Sequence, residues 1–442
     1  MQKSSKQGPP GRAPFDRALW AVILAAFALR LVYVLAAPLP PTPNGPDAPL
    51  YDELAMRLIT EGKYCANDNL GRISQAYRPV LFPFVLGGIY KMCGHHVTAP
   101  RVFHCVLGAL TCGLVYSMGR ELFGRRAAIL AGIGAAIFPQ LIYYTGTLTT
   151  ETLHTFMLTS AMYLLVLAYR REAAGAAAGT QTPPGRDGRA IETTRQARPR
   201  YETPLVLWAA AGACLGLAAL ARSAALALVP VVGLWLLIVL KNKPQAITRA
   251  LVVAAAAAVA MSPWWIRNCT ALGAFVPATT DGGYTFWVTN NPRATGSGAC
   301  FLPDDVSPFR GLTELQADRL YYKMGIGWAR SHPGDFARLL GAKFVRLWRP
   351  WPHAEEAGIG WGNAAVAGVS FVPVLLLAIW GAVITWQRRH GVLLFYLVIG
   401  CTTVLYCLYM GVTRYRAPLM PMLLVLAGVA AERLIFRRSR AA

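Results

Sequence analysis

The stretch ALWAVILAAFALRLVYVLAAP, residues 18–38, decides the fold class, and Pro46-Asp47-Ala48-Pro49-Leu50-Tyr51 just beyond it points to a function. The first is apolar over a length that crosses a bilayer, since a membrane helix needs roughly 20 such residues. The second sets a carboxylate just past the end of that helix, at the start of a polar loop. An amphipathic stretch over 51–61 follows, then Tyr77-Arg78-Pro79. A carboxylate at a membrane surface is where an enzyme acting on a lipid-borne substrate would keep a base. That singles out Asp47.

The rest of the chain has the same character. Of 442 residues, 55% are hydrophobic and 14% charged, against roughly 25% charged in soluble proteins. The reading is an all-α polytopic membrane protein. A net charge of +22 would suit nucleic acid, but its placement argues otherwise. Arg120, Arg125 and Arg126, then Arg170 and Arg171, Lys241 and Lys243, Arg388 and Arg389, and Arg433, Arg437, Arg438 and Arg440 all fall in short loops and tails. This is the positive-inside pattern, and no nucleic-acid partner is expected. Ten spans are expected, at 17–38, 99–120, 125–144, 150–169, 204–221, 223–241, 247–266, 364–386, 391–411 and 416–435. With the N-terminus inside, every basic cluster faces the cytoplasm. The apolar segment 79–90 is short, and counting it as a span would invert that bias. It is expected to lie in the plane of the outer surface or to re-enter it. The first span carries Arg30 and is too long for a cleavable leader.

The expected organisation is a cytoplasmic tail (1–16) and an N-terminal membrane module (17–170) whose first outer loop is 39–98. A disordered cytoplasmic loop (171–203) follows, rich in Gly, Ala, Thr, Pro and Arg. Then come membrane helices (204–266), an outer lobe (267–363) and C-terminal helices (364–436). The lobe carries turn signals at Asp281-Gly282-Gly283 and Asn290-Asn291-Pro292 and a helical pattern over 312–348. Cys105, Cys112, Cys214, Cys401 and Cys407 lie within spans and are read as packing residues. Cys269 and Cys300 could pair in the outer lobe. Cys93-Gly94-His95-His96 lacks the two spaced halves of a zinc site.

Charges near the outer ends of membrane helices are costly unless paired or used. Glu151 opens the fourth span, where the helix dipole alone would favour it. His154 shares its face, but two ligands do not make a metal site, and hydrogen bonding is the expectation there. Arg222 interrupts an apolar stretch at an outer turn, and Arg267 ends a span. Arg414 and Arg416 frame Tyr415 at the last outer corner. Arg222 and Arg267 could also serve as headgroup anchors. Asp52 and Glu53 are expected to face water, and Arg30 to pair with an acid or a carbonyl. An outer carboxylate opposite several outer arginines fits a substrate that carries a phosphate.

The order of these motifs resembles a known group. Pro46-Asp47 with Tyr51, Tyr77-Arg78-Pro79 with Pro83, and Gly119-Arg120 through Leu122-Phe123-Gly124-Arg125-Arg126 are similar to the bacterial membrane glycosyltransferases related to protein O-mannosyltransferases. So are Tyr144-Thr145-Gly146 to Glu151, Pro263-Trp264 with Arg267-Asn268, Gly283-Tyr284 to Asn290-Asn291-Pro292, and Arg414-Tyr415-Arg416 with Pro418. That group has the GT-C fold, and the lipid A aminoarabinose transferase is a relative. The resemblance runs over roughly 18–435. It implies a sugar donor on a polyisoprenyl phosphate, a catalytic Asp in the first outer loop, and transfer at the periplasmic side of a bacterial inner membrane. Asp47 falls at the position of that Asp. Many relatives carry Glu directly after it, whereas this chain has Ala48, which removes an acidic pair.

Chemistry and resemblance agree on one expectation. Transfer of a sugar to a hydroxyl by inverting displacement needs one base, here Asp47. The leaving phosphate needs fixed positive charge, which Arg222, Arg267, Arg414 and Arg416 could supply. Glu151 would orient a hydroxyl, while Tyr51 and Arg78 support the loop. Membrane lipids and a lipid, glycan or protein acceptor are the expected partners, with no metal or other cofactor. A flippase or transporter, or a non-catalytic binder of lipid-linked sugars, is the rival. A transporter would need broken helices or charges near the bilayer midplane, and here most polar residues keep to one surface.

Overall fold

The computed structural model describes residues 16–36, 47–68, 70–178, 205–296, 306–352 and 361–437. The N-terminal module opens with α1 (Arg17–Ala36). In the first loop α2 (Ala48–Glu61) precedes a small antiparallel hairpin, β1 (Ala66–Asn67) and β2 (Ile73–Ser74), and α3 (Leu81–Cys93). α4 (Thr98–Phe123), α5 (Arg125–Ile137), α6 (Pro139–Tyr143) and α7 (Glu151–Ala178) complete it. α8 (Leu205–Ala221), α9 (Leu228–Val239) and α10 (Lys243–Leu272) follow. The lobe between α10 and α14 holds α11 (Gly282–Val288), α12 (Glu314–Ser331) and α13 (Pro333–Trp348). α14 (Trp361–Thr385), α15 (Arg389–Leu408) and α16 (Met420–Arg437) close the chain.

Among the described residues, each of the ten expected spans falls largely on helix. Seven helical segments among the described residues are long and apolar enough to cross a membrane: α1, α4, α7, α10, α14, α15 and the segment Thr413–Phe436 that contains α16. An eighth would be α5 with α6, bent by 52° where Pro139 cannot continue the helix. α8 has 17 residues, at the lower limit for a span. The segment Ser223–Val239 is likewise a short apolar helix. α7 runs to Ala178, past the boundary expected at 171. The remainder of that loop, and Cys300 with its expected partner role, lie outside the described residues.

Small residues set the helix spacing. A Cβ on Gly216 would lie 2.6 Å from the Ala257 carbonyl oxygen, and one on Gly212 would strike the Val253 carbonyl. With glycines four apart on one face, α8 lies backbone to backbone on α10, the usual way apolar helices gain contact in lipid. Arg30 is fully buried in α1 and meets the expectation of a carbonyl partner. It donates to the carbonyls of Ala135 and Ala136, each at 3.1 Å. These are the last carbonyls of α5, which lack partners within their own helix.

The lobe packs onto the first loop. Thr313 and Gln316 form a reciprocal cap at the start of α12. The next carboxylate, Glu314, accepts the backbone N–H groups of Gln75 and of Ala76. α2 ends at Gly62, where φ is 66° and the N–H returns to the Arg57 carbonyl. Gly takes this left-handed turn without steric cost, and the chain then enters the hairpin beneath the lobe.

Candidate functional site

Apart from Arg78, which lies in the loop between β2 and α3, each charged side chain of the site sits at an element terminus. Asp47 occupies the N-cap position of α2, but its side chain makes no capping bond. Its main-chain oxygen takes the Tyr51 N–H at 3.1 Å, so the carboxylate is free to face outward. Tyr51 is buried, edge-on to Phe82 of α3 at 5.3 Å, and so fixes α2 against α3. Glu151 is the first residue of α7. Arg222 is extended between α8 and a 3₁₀ turn at Ser223–Ala227. Arg414 lies in the 3₁₀ stretch Thr413–Leu419, ahead of α16. Asp281 is the N-cap of α11.

These residues form one continuous chain of alternating charge. Asp281 Oδ2 accepts Arg78 Nη1 at 3.1 Å, and Arg78 Nη2 reaches Asp47 Oδ1 at 3.2 Å. Asp47 Oδ2 accepts Arg414 Nη2 at 2.6 Å, and Arg414 Nε lies 2.8 Å from Glu151 Oε1. The same Glu151 oxygen takes Arg222 Nη2 at 2.8 Å, while Arg222 Nε donates to Thr150 Oγ1 at 2.9 Å. Both Arg222 and Arg414 lie over the Tyr415 ring, at 4.6 and 5.4 Å. Three carboxylates and three guanidinium groups therefore converge from six places in the sequence.

Burial alone would raise the pKa of Asp47. Arg414 and then Arg78 outweigh it and hold the carboxyl down at about 2. Asp281 goes the other way, raised because burial exceeds what Arg78 and the Thr279 hydroxyl offset. Asp47 is ionised at neutral pH, and its charge is shared between two arginines. Its side chain is 20% exposed, against 18% for Asp281 and 1% for Glu151, so Glu151 is sealed from solvent while Asp47 and Asp281 are not.

Of the eight residues singled out in the sequence, Asp47, Arg78, Glu151, Arg222 and Arg414 meet here, with Tyr51 packed behind. Arg78 bridges two carboxylates, beyond the loop support expected of it. Arg267 and Arg416 stand apart. Arg267 donates to the carbonyls of Gln75 at 2.6 Å and Tyr64 at 2.9 Å and lies over Trp264, which ties the hairpin loop to α10. Arg416 is buried, donating to the Arg349 and Pro350 carbonyls and lying 3.6 Å over Phe371. His154 donates from Nδ1 to the Ala218 carbonyl at 3.0 Å. Asp52 does not simply face water, since it accepts the Tyr90 hydroxyl at 2.6 Å and meets His95 at 3.0 Å.

Asp281 reads in the sequence only as part of a turn. The two glycines after it carry the signal. Gly283 donates its N–H to Asp318 Oδ1 at 2.6 Å, and a side chain there would strike the α12 backbone. Only glycine lets α11 start this close to α12, and that contact aims Asp281 at Arg78. Next to the same loop lies a cavity of about 920 Å³, lined among others by Tyr64, Leu81, Phe84, Leu220, Trp264 and Arg267. Tyr64 donates its hydroxyl to the Arg78 carbonyl at 2.9 Å, which joins the cavity wall to the charge cluster.

Residues 77–180 match the sequence family described as dolichyl-phosphate-mannose-protein mannosyltransferase. No curated protein sequence matches the chain. Solved structures do. ArnT from Cupriavidus metallidurans in the apo state is 17% identical with a TM-score of 0.58, over 96% of this chain and 62% of that one. ArnT bound to undecaprenyl phosphate gives 16% identity and a TM-score of 0.53, over 96% and 61%. The archaeal oligosaccharyltransferase AglB from Archaeoglobus fulgidus, in complex with an inhibitory peptide and a dolichol-phosphate, gives 17% and 0.56, over 96% and 52%. The chain thus spans half to three-fifths of the length of these structures. Its fold is the GT-C membrane fold they share, and its segment 77–180 carries the mannosyltransferase family pattern.

Proposed function

We propose that this protein is a membrane glycosyltransferase that moves a sugar from a polyisoprenyl phosphate to an acceptor hydroxyl on the outer side of a bacterial inner membrane. The observation that carries the reading is the partly exposed Asp47 carboxylate, held between Arg78 and Arg414. ArnT with undecaprenyl phosphate and AglB with dolichol-phosphate support a lipid-phosphate donor by likeness of fold. The apolar walls of the large cavity, drawn from α3, α8 and α10, suit a lipid chain.

In this reaction Asp47 takes the proton of the acceptor hydroxyl. The acceptor oxygen bonds to the anomeric carbon as the bond from that carbon to the phosphate oxygen breaks. The electron pair stays on the phosphate, and the configuration inverts. A phosphate leaves without a general acid, but its growing charge needs fixed donors. Arg78, Arg222 and Arg414 are already oriented and partly shielded from water, where such contacts are stronger. Glu151 holds two of them in place. Purified protein should convert a polyisoprenyl-phosphate sugar to free polyisoprenyl phosphate in the presence of an acceptor extract. No conversion with any such donor would sink the reading.

A further inference from the structure

The cluster poses a problem for its own chemistry. Each Asp47 oxygen accepts from one arginine, and the two arginines hold the group at about 2. A carboxylate so stabilised is a weak base. A phosphate that took Arg78 Nη2 and Arg414 Nη2 would compete with Asp47 for both. The two arginines also have second anchors that do not involve Asp47. Arg78 Nη1 is held by Asp281 at 3.1 Å, and Arg414 Nε by Glu151 at 2.8 Å.

Resting on the transferase reading, we propose that Arg78 and Arg414 form a shared seat, occupied by the Asp47 carboxylate at rest and by the donor's phosphate in turnover. Asp281 and Glu151 are then positioning residues that keep the two arginines in place while the occupant changes. The exchange balances charge, since a sugar-linked phosphodiester carries one negative charge, as does the carboxylate it displaces. Once displaced, Asp47 loses the pairing that weakens it as a base, next to the sugar whose acceptor it must deprotonate. Donor binding therefore precedes and enables proton removal. It also follows that the freed lipid phosphate, with its greater negative charge, holds the seat more tightly than the donor did.

The test is the affinity of undecaprenyl phosphate for purified protein in nanodiscs, measured beside turnover. Competition from Asp47 must be overcome in the wild type and is absent from Asp47→Asn. The variant should bind undecaprenyl phosphate at least about tenfold more tightly, one pKa unit of coupling being a factor of ten, while turning over poorly. Asp47→Ser should behave alike, which separates the effect from any one replacement. Arg414→Ala should lose most of the binding. Asp281→Asn should raise the donor KM severalfold with a smaller change in kcat, and Asp281→Glu should recover part of it. Equal or weaker binding by folded, inactive Asp47→Asn and Asp47→Ser would overturn the exchange and leave the transferase reading intact. Failure of every form to bind undecaprenyl phosphate would refute both.

Discussion

At the scale of single residues, the site turns on which carboxylates are exchangeable. Asp47→Asn should lose roughly 100- to 10,000-fold in turnover, the usual contribution of a general base, with normal insertion and yield. Steady-state rates on the purified variant check this, and near-normal turnover removes Asp47 from the mechanism. The same carboxylate leaves a mark on stability. Its folded pKa, about 2, lies below the ordinary 3.8. Its ion pairs therefore stabilise fully above about pH 5 and are lost as pH falls through the folded value, a contribution of about 2 kcal/mol. Thermal unfolding should show Asp47→Asn less acid-sensitive than wild type between pH 5 and 2. Parallel curves would mean that the pairs add nothing.

The arginines show what a sequence reveals and what it hides. Arg222 and Arg414 were legible because each breaks an apolar pattern at a helix end, where charge needs a reason. Arg267 and Arg416 break the pattern in the same way, yet they satisfy backbone carbonyls of Gln75, Tyr64, Arg349 and Pro350. Backbone acceptors have no sequence signature, so the two kinds of arginine look alike until the chain is folded. Arg414→Ala should slow chemistry and weaken donor binding together. Arg414→Lys should rescue only in part, since Lys keeps the charge but not the planar fork. Arg267→Ala should instead speed hydrogen exchange over 62–75, where hydrogen bonds from a charged donor contribute roughly 1.5–3 kcal/mol each. If Arg267→Ala left that exchange unchanged, the role given to it as a loop clamp would be wrong.

Among the elements, the helices follow directly from apolar length, and the break before Pro139 from the proline itself. What length and pattern do not give is which helix ends meet. Asp281 pairs with Arg78 across 203 positions, and the only local trace is Gly282-Gly283. The α8–α10 contact is similar, since Gly212 and Gly216 sit four apart in a segment otherwise read only as apolar. Gly216→Leu should separate the two helices. Overpacking typically costs about 1–3 kcal/mol, and a backbone contact offers no rotamer to yield. A lowered melting temperature with loss of folded yield is expected, and wild-type stability would contradict the packing.

For the whole molecule, the placement of charge supports the proposed direction of the reaction. Glu151 opens α7, while Arg170 and Arg171 lie near its other end, about 28 Å away by helical rise. The site and this basic pair therefore lie at well-separated points along α7. A single cysteine at the exposed Gly327 of the outer lobe, in a background without native thiols, should react with an impermeant reagent in intact spheroplasts. One at Arg125, the first residue of α5, should not. The reverse pattern would put the site in the cytoplasm. The most direct test of the central claim is mass-spectrometric measurement of lipid turnover. Wild-type and Asp47→Asn proteoliposomes would be given a polyisoprenyl-phosphate sugar and an envelope extract as acceptor. The account predicts accumulation of free polyisoprenyl phosphate and a sugar-sized mass increase on an acceptor with wild type, and at least about 100-fold less with Asp47→Asn. Equal release by the two proteins, or none by either, would contradict it.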